Sequence, residues 1–139
     1  MTNIFDNWIK NGEFITESKI NEAAAYISFG NSMSRVMENT RYDLTKLFMK
    51  SIILSKLDKG PAGGYDLIKF FHEKYKVLFS AGTVYSYLYS MERSDLIEPE
   101  YNEGKKMFRL TAKGKETLEE FRKIKKAIIN LTEKLLMNI

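Results

Sequence analysis

The sequence predicts a mostly helical protein with one small β-hairpin, and three stretches carry that prediction. Residues 80–96, Ser-Ala-Gly-Thr-Val-Tyr-Ser-Tyr-Leu-Tyr-Ser-Met-Glu-Arg-Ser-Asp-Leu, place apolar side chains at helical spacing behind a serine suited to N-capping. Residues 96–110 read as two short alternating strands around Asn102-Glu103-Gly104. Residues 113–137 form a long amphipathic run whose apolar residues recur seven apart.

Size and composition narrow the rest. At 139 residues with 44% apolar content, the chain can build one core with room for an appendage. It has no cysteine, which removes disulfides and thiolate metal sites, and His72 is its single histidine. No metal site and no cofactor are therefore expected. The N-terminus lacks a basic flank followed by an apolar run, and no stretch approaches ~18 apolar residues. The expectation is a soluble, cytoplasmic protein without a membrane span. Residues 1–40 carry three basic and five acidic side chains, a net of −2, and residues 41–139 carry nineteen and thirteen, a net of +6. A basic body suits a polyanionic partner, although a charge of this size is also common in proteins that bind no nucleic acid.

In chain order, residues 1–40 read as an N-terminal helical arm. Ile4, Phe5, Trp8 and Ile9 have helical spacing, and Asn11-Gly12 would end that first helix. Ile20, Ala23, Ala24, Ile27, Met33, Val36 and Met37 continue the pattern, with a break or kink at Gly30-Asn31. A free tail rarely carries Trp8, Phe5 and Phe29, so the arm is expected to pack on its own domain or on a second subunit. Thr40 with Asp43 resembles a capping box for a helix to about Leu57, with Leu44, Leu47, Phe48, Ile52 and Leu54 inward. Gly60 and Pro61 stop that helix, and Pro61-Ala-Gly-Gly64 forms a turn. A helix follows from Tyr65 to about Tyr75, with Leu67, Ile68 and Phe71 apolar.

The helix after Ser80 turns Val84, Tyr87, Leu88 and Met91 inward. Gly82, Thr83, Ser86, Tyr89, Ser90 and Arg93 lie on its other face, and Tyr85 sits at the border. A solvated face usually carries more Lys and Glu. Hydroxyls and phenols can donate to phosphates and base edges, so this reads either as a recognition helix or as an ordinary amphipathic helix with a Tyr-rich surface. In the hairpin, Ile97, Pro99 and Tyr101 alternate with Glu98 and Glu100 in an edge strand that tolerates proline. The return strand puts Phe108 and Leu110 on one face, Met107 and Arg109 on the other, and Lys105 and Lys106 at the tip. Two helices, a short turn and a basic hairpin make a winged helix-turn-helix over residues 41–112.

Thr111 caps a final helix from Lys113 to about Met137, roughly 35 Å long at ~1.5 Å per residue. Its stripe of Leu118, Phe121, Ile124, Ile128, Leu131 and Leu135 has coiled-coil spacing. Residues 113–139 are thus expected to make a homodimer; the alternative is a fold-back onto residues 1–40.

Gly64-Tyr-Asp-Leu-Ile68, Gly82-Thr-Val-Tyr-Ser86, Leu88-Tyr-Ser-Met-Glu-Arg93 and Phe108-Arg-Leu-Thr-Ala-Lys-Gly114 together resemble the PadR family of winged-helix transcriptional regulators, in a form common in archaea. The resemblance covers residues 45–125. It implies a dimeric regulator of double-stranded DNA, in particular a repressor with an inverted-repeat operator. Helix 81–93 would enter the major groove and wing 102–106 would meet backbone or minor groove. Ser86 stands where many bacterial members have proline, and Asp95 where glycine is usual. Some short members bind planar drugs between dimer helices through a tryptophan. The final helix here has none, so a small-molecule effector has no support. The arm lies outside the family pattern.

Enzymatic chemistry finds little footing. No spacing pairs two carboxylates on an apolar face, Gly63-Gly64 lacks the Lys-Ser/Thr of a phosphate loop, and His72 reads as a surface residue. The competing class is a winged helix used only for protein contacts, because Arg93 is the only basic residue on the recognition helix.

Overall fold

The computed structural model describes residues 31–139. Five helices and one hairpin follow in order: α1 Asn31–Leu47, α2 Met49–Asp58, α3 Gly64–Tyr75, α4 Ala81–Arg93, β1 Ile97–Asn102, β2 Lys105–Leu110 and α5 Ala112–Leu136. This is a winged helix, and the predicted fold class holds for the described residues. The expectations for Trp8, Phe5 and the rest of residues 1–30 lie outside them. One compact unit spans Thr40–Phe121; the other described residues, 31–39 and 122–139, fall in a second. No helix among the described residues is long and apolar enough to cross a membrane.

No helix starts at Thr40. α1 is already running at Asn31 and passes Thr40 without interruption. Its sequence from Asn31 contains no glycine or proline, so a capping signal at Thr40 has no break to act on. The discontinuity comes instead at Phe48, with φ −96° and ψ 9°. Hydrogen bonds from Phe48 N to Leu44 O (3.1 Å) and from Ile52 N to Phe48 O (3.0 Å) carry the ladder across, so α1 and α2 meet at a kink. Hydroxyls bond to the backbone on both sides: Thr45 Oγ1 donates to Arg41 O at 2.7 Å and Ser51 Oγ to Phe48 O at 2.9 Å. Such back-bonding bends helices. The inward stripe is Thr45, Met49, Ile53, Leu54 and Leu57, whereas Leu44 and Leu47 face out.

Gly60 follows α2 at φ 151°, a conformation L-residues rarely adopt. The turn beyond it does more than reverse the chain. Ala62 N donates to Phe108 O at 3.1 Å and Phe108 N to Ala62 O at 2.9 Å, an antiparallel bridge that gives the hairpin a third partner. Asp66 accepts the Gly63 N–H at 2.9 Å and caps α3. α3 ends at Lys76 in the left-handed conformation, with Val77 N reaching back to Phe71 O. Val77 and Phe79 then turn into the core. Phe79 packs on Phe71 at 5.3 Å and on Tyr42 at 5.0 Å between ring centroids. Tyr75 lies against Phe70 and Phe71, and burial raises its phenol above the usual range.

The hairpin register pairs Ile97 with Leu110, Pro99 with Phe108 and Asn102 with Lys105. The expected three-residue turn is a two-residue one. Glu103 (φ 51°) and Gly104 (φ 79°) both take positive φ, as the turns that match strand twist require. Asp95 also takes a left-handed conformation at φ 59°, which gives a physical reason for the glycine usual at that place in the resembling family. Aspartate is among the few side chains that tolerate it.

α5 is fastened at its root. Thr111 Oγ1 accepts the Gly114 N–H at 3.0 Å and donates to Asp95 O at 2.5 Å. Lys115 pairs with Asp58 at 2.6 Å. Gly114 is buried where a Cβ would overlap the Leu96 carbonyl oxygen. Gly114→Ala should therefore destabilise by a net ~1–2 kcal/mol, since overpacking against backbone outweighs the gain of up to ~1 kcal/mol in helix propensity. The urea midpoint is the measurement; a rise would show that Leu96 yields without cost.

Candidate nucleic-acid interface

α4 owes its geometry to its first turn and its buried face. Ser80 Oγ accepts the Thr83 N–H at 3.2 Å, and the two hydroxyl oxygens lie 2.9 Å apart. The Thr83 hydroxyl is thus engaged in the cap and is half-buried. Val84, Leu88 and Met91 are buried, and Tyr87, half-buried, donates to Lys46 O at 3.4 Å. This rotation leaves Gly82, Ser86, Tyr89, Ser90 and Arg93 exposed. Ser86 and Ser90 lie one turn apart, flanked by phenols on a face whose one charge is Arg93.

Tyr85 has a different place from the open face. Its ring lies against Gly64, where a Cβ would overlap it. That close approach sets the separation of α3 from α4, and it explains why glycine opens α3. Tyr85 also meets Tyr65 edge-on at 6.4 Å and Tyr89 at 5.9 Å between centroids. It joins the two helices while only part of it reaches the surface.

Tyr65 is a residue the sequence reading passed over. It is 75% exposed and stands beside the α4 face through its contact with Tyr85. The signal was present, because Leu67 and Phe71 inward place position 65 on the outer side of α3.

The wing has fewer available charges than its composition suggests. Arg109 donates from Nε and from Nη2 to the same Glu98 oxygen, both at 2.7 Å, across the hairpin. Lys106 Nζ lies 5.3 Å from the centroid of the Tyr89 ring and 5.3 Å from that of Phe108. Lys105 is exposed at the tip. The structure thus brings Lys106 to Tyr89 and Tyr85 to Tyr65.

Residues 53–120 match the family model described as the transcriptional regulator PadR-like family. A PadR family transcription regulator from Clostridium difficile is 27% identical, with a TM-score of 0.58 over 64% of this chain and 98% of that one. A PadR-like transcriptional regulator from Bacillus cereus is 25% identical, with a TM-score of 0.59 over 68% and 96%. A PadR family regulator from Eggerthella lenta gives a TM-score of 0.64 over 77% and 97% at 23% identity. No curated protein sequence matches the chain. The PadR-like match begins at Ile53, inside α2, so α1 precedes it; it ends at Glu120, part-way along α5.

The stripe on α5 divides near the end of that match. Leu118 is 3% exposed and belongs to the core of its own winged helix, so it anchors α5 rather than facing outward as the heptad reading expected. Phe121 and Ile128 are half-buried, Ile124 is exposed, and Leu131 and Leu135 are 57% and 60% exposed.

Proposed function

We propose that this chain is a DNA-binding transcriptional regulator, and specifically a repressor that holds an inverted-repeat operator as a homodimer. The observation that carries the reading is the open face of α4, with Ser86, Tyr89 and Ser90 uncovered beside a hairpin that presents Lys105. Around it is a winged helix similar to structures described as PadR family regulators. Gly82, Thr83, Tyr85, Ser86, Tyr89, Ser90 and Arg93 lie on or beside the surface that would approach the major groove. Hydroxyls there reach phosphate or base edges only at short range, so they favour a fitted sequence over random DNA. Lys105 is a point charge suited to phosphate and indifferent to sequence. Two copies would set their recognition helices about one turn of DNA apart, ~34 Å, which is why the operator should be an inverted repeat.

The test begins with an operator selected from random duplex DNA, followed by binding across a salt series. Lys105→Ala should weaken operator and random duplex alike and flatten the salt slope by ~0.9. Ser86→Ala should cost ~1–3 kcal/mol on the operator and much less on random duplex. Equal losses on both DNAs for both variants would sink this division of labour.

One observation favours a second reading, a winged helix devoted to protein contacts. Arg93 is the only basic residue on α4 and Arg109 is held by Glu98. Wild-type protein that binds no duplex at low salt would select that reading.

A further inference from the structure

We propose that Lys106 is a positioning residue that acts through Tyr89, so that the wing and α4 meet DNA as one surface rather than as two independent contacts. The inference rests on the DNA-binding reading above, and it reassigns a lysine that by composition alone would be a free phosphate contact.

Lys106 is fixed at its root. Its backbone pairs with Tyr101 in the hairpin, and its carbonyl lies where a Cβ on Gly63 would come within 3.3 Å. The neighbouring Phe108 is fully buried and bridged in both directions to Ala62. The lysine therefore leaves a stiff part of the molecule. Its ammonium lies 5.3 Å from the ring centroids of both Phe108 and Tyr89. A cation over an aromatic face is attracted by the ring quadrupole, and one that also lies by a buried ring has less freedom to leave.

Tyr89 is the other half of the argument. It is 41% exposed, so its ring would be free to swing if nothing held it. Tyr85 meets it at 5.9 Å, and Tyr85 is seated over Gly64. Lys106 Nζ also approaches Tyr89, at 5.3 Å from the ring centroid. Tyr65, Tyr85, Tyr89 and Lys106 thus form a row across α3, α4 and the wing. With the ring held by both neighbours, the phenol of Tyr89 is presented in one orientation before any DNA arrives, which lowers the ordering cost of binding.

The experiment compares Lys106→Met, Lys106→Arg, Tyr89→Leu and the Lys106→Met/Tyr89→Leu double variant in the full-length chain. In the free protein, the side-chain methylene protons of Lys106 should show ring-current-shifted NMR resonances that Tyr89→Leu reduces to the part contributed by Phe108. On the selected operator, Lys106→Met should weaken binding about two- to fivefold, the range for an exposed cation–π pair, and leave the salt slope unchanged. The double variant should bind no worse than Tyr89→Leu alone. Lys106→Arg should restore affinity, because guanidinium also stacks on the ring. Three results overturn the proposal: unshifted Lys106 resonances, a salt slope flattened by ~0.9 in Lys106→Met, or additive losses in the double variant. Wild-type protein that binds no duplex overturns the functional reading and this proposal with it. Binding by the wild type with any of the three results overturns this proposal alone.

Discussion

Phe108→Ala should lower stability by ~3–5 kcal/mol, the range for removing a buried phenylalanine from a core. At this chain length that is a fall of roughly 10–20 °C in Tm. The expectation follows from what Phe108 joins. Its side chain is fully buried in the cluster formed by α2, α3, α4 and the hairpin. Its backbone makes both hydrogen bonds of the bridge to Ala62, and it faces Pro99 on β1. Truncation leaves a cavity where the wing meets the turn before α3, and the bridge cannot close over it. Calorimetry on the variant beside Tyr101→Ala checks the claim. Tyr101 is exposed on the same hairpin, so its loss should stay within about 0.5 kcal/mol. Equal, small effects would mean that the wing is hinged on the domain rather than built into its core.

Ile128→Asp should abolish self-association while leaving each subunit folded. The wild type is expected to be a dimer through α5, because Ile128, Leu131 and Leu135 continue a seven-residue pattern beyond the root of the helix and Leu131 and Leu135 are more than half exposed. A carboxylate in a seam between two helices would be buried without a partner, at a cost of several kcal/mol, or roughly a hundredfold or more in the association constant. At a position only partly buried on a single chain the same carboxylate reaches water and costs little. Sedimentation at micromolar concentration separates the cases: wild type as dimer and variant as monomer, with matching helical content. A wild type that sediments as a monomer ends the dimer reading. Leu118→Ala is the contrasting variant. It should lower stability by ~2–5 kcal/mol without shifting the association constant, because Leu118 is spent inside its own domain.

The winged helix was legible because its signals are local and agree with one another. Ser80 caps α4 through Thr83, Thr111 caps α5 through Gly114, and β2 alternates with Phe108 buried beside exposed Arg109, whereas on β1 Pro99 and Tyr101 are exposed against the expected alternation. The α1–α2 region misled because two apolar stripes compete there. Leu44, Leu47, Phe48 and Ile52 make one, and Tyr42, Thr45, Met49 and Ile53 make another about one residue away. Spacing alone ranks the leucines first, since it scores apolarity and cannot see the kink at Phe48. Likewise, Lys106 and Arg109 were legible as basic residues of a wing but not as partners of Tyr89 and Glu98. Those pairings depend on which side chains lie across the hairpin and across the α4 face.

The sequence by itself determined the order of elements from α3 to α5, the inward face of α4 and the placement of uncharged hydroxyls and phenols on its outer face. Each of these follows from residues within one or two turns of each other, where spacing and capping chemistry act directly. Only the tertiary structure decided three further points: that Ala62 bridges Phe108, that Gly64 exists to admit the Tyr85 ring, and that Lys106 sits over Tyr89. In each case the partners are between 17 and 46 residues apart in the chain. No local preference selects such contacts, because they arise only when the shared core brings the turn, the helix and the wing to one side of the domain.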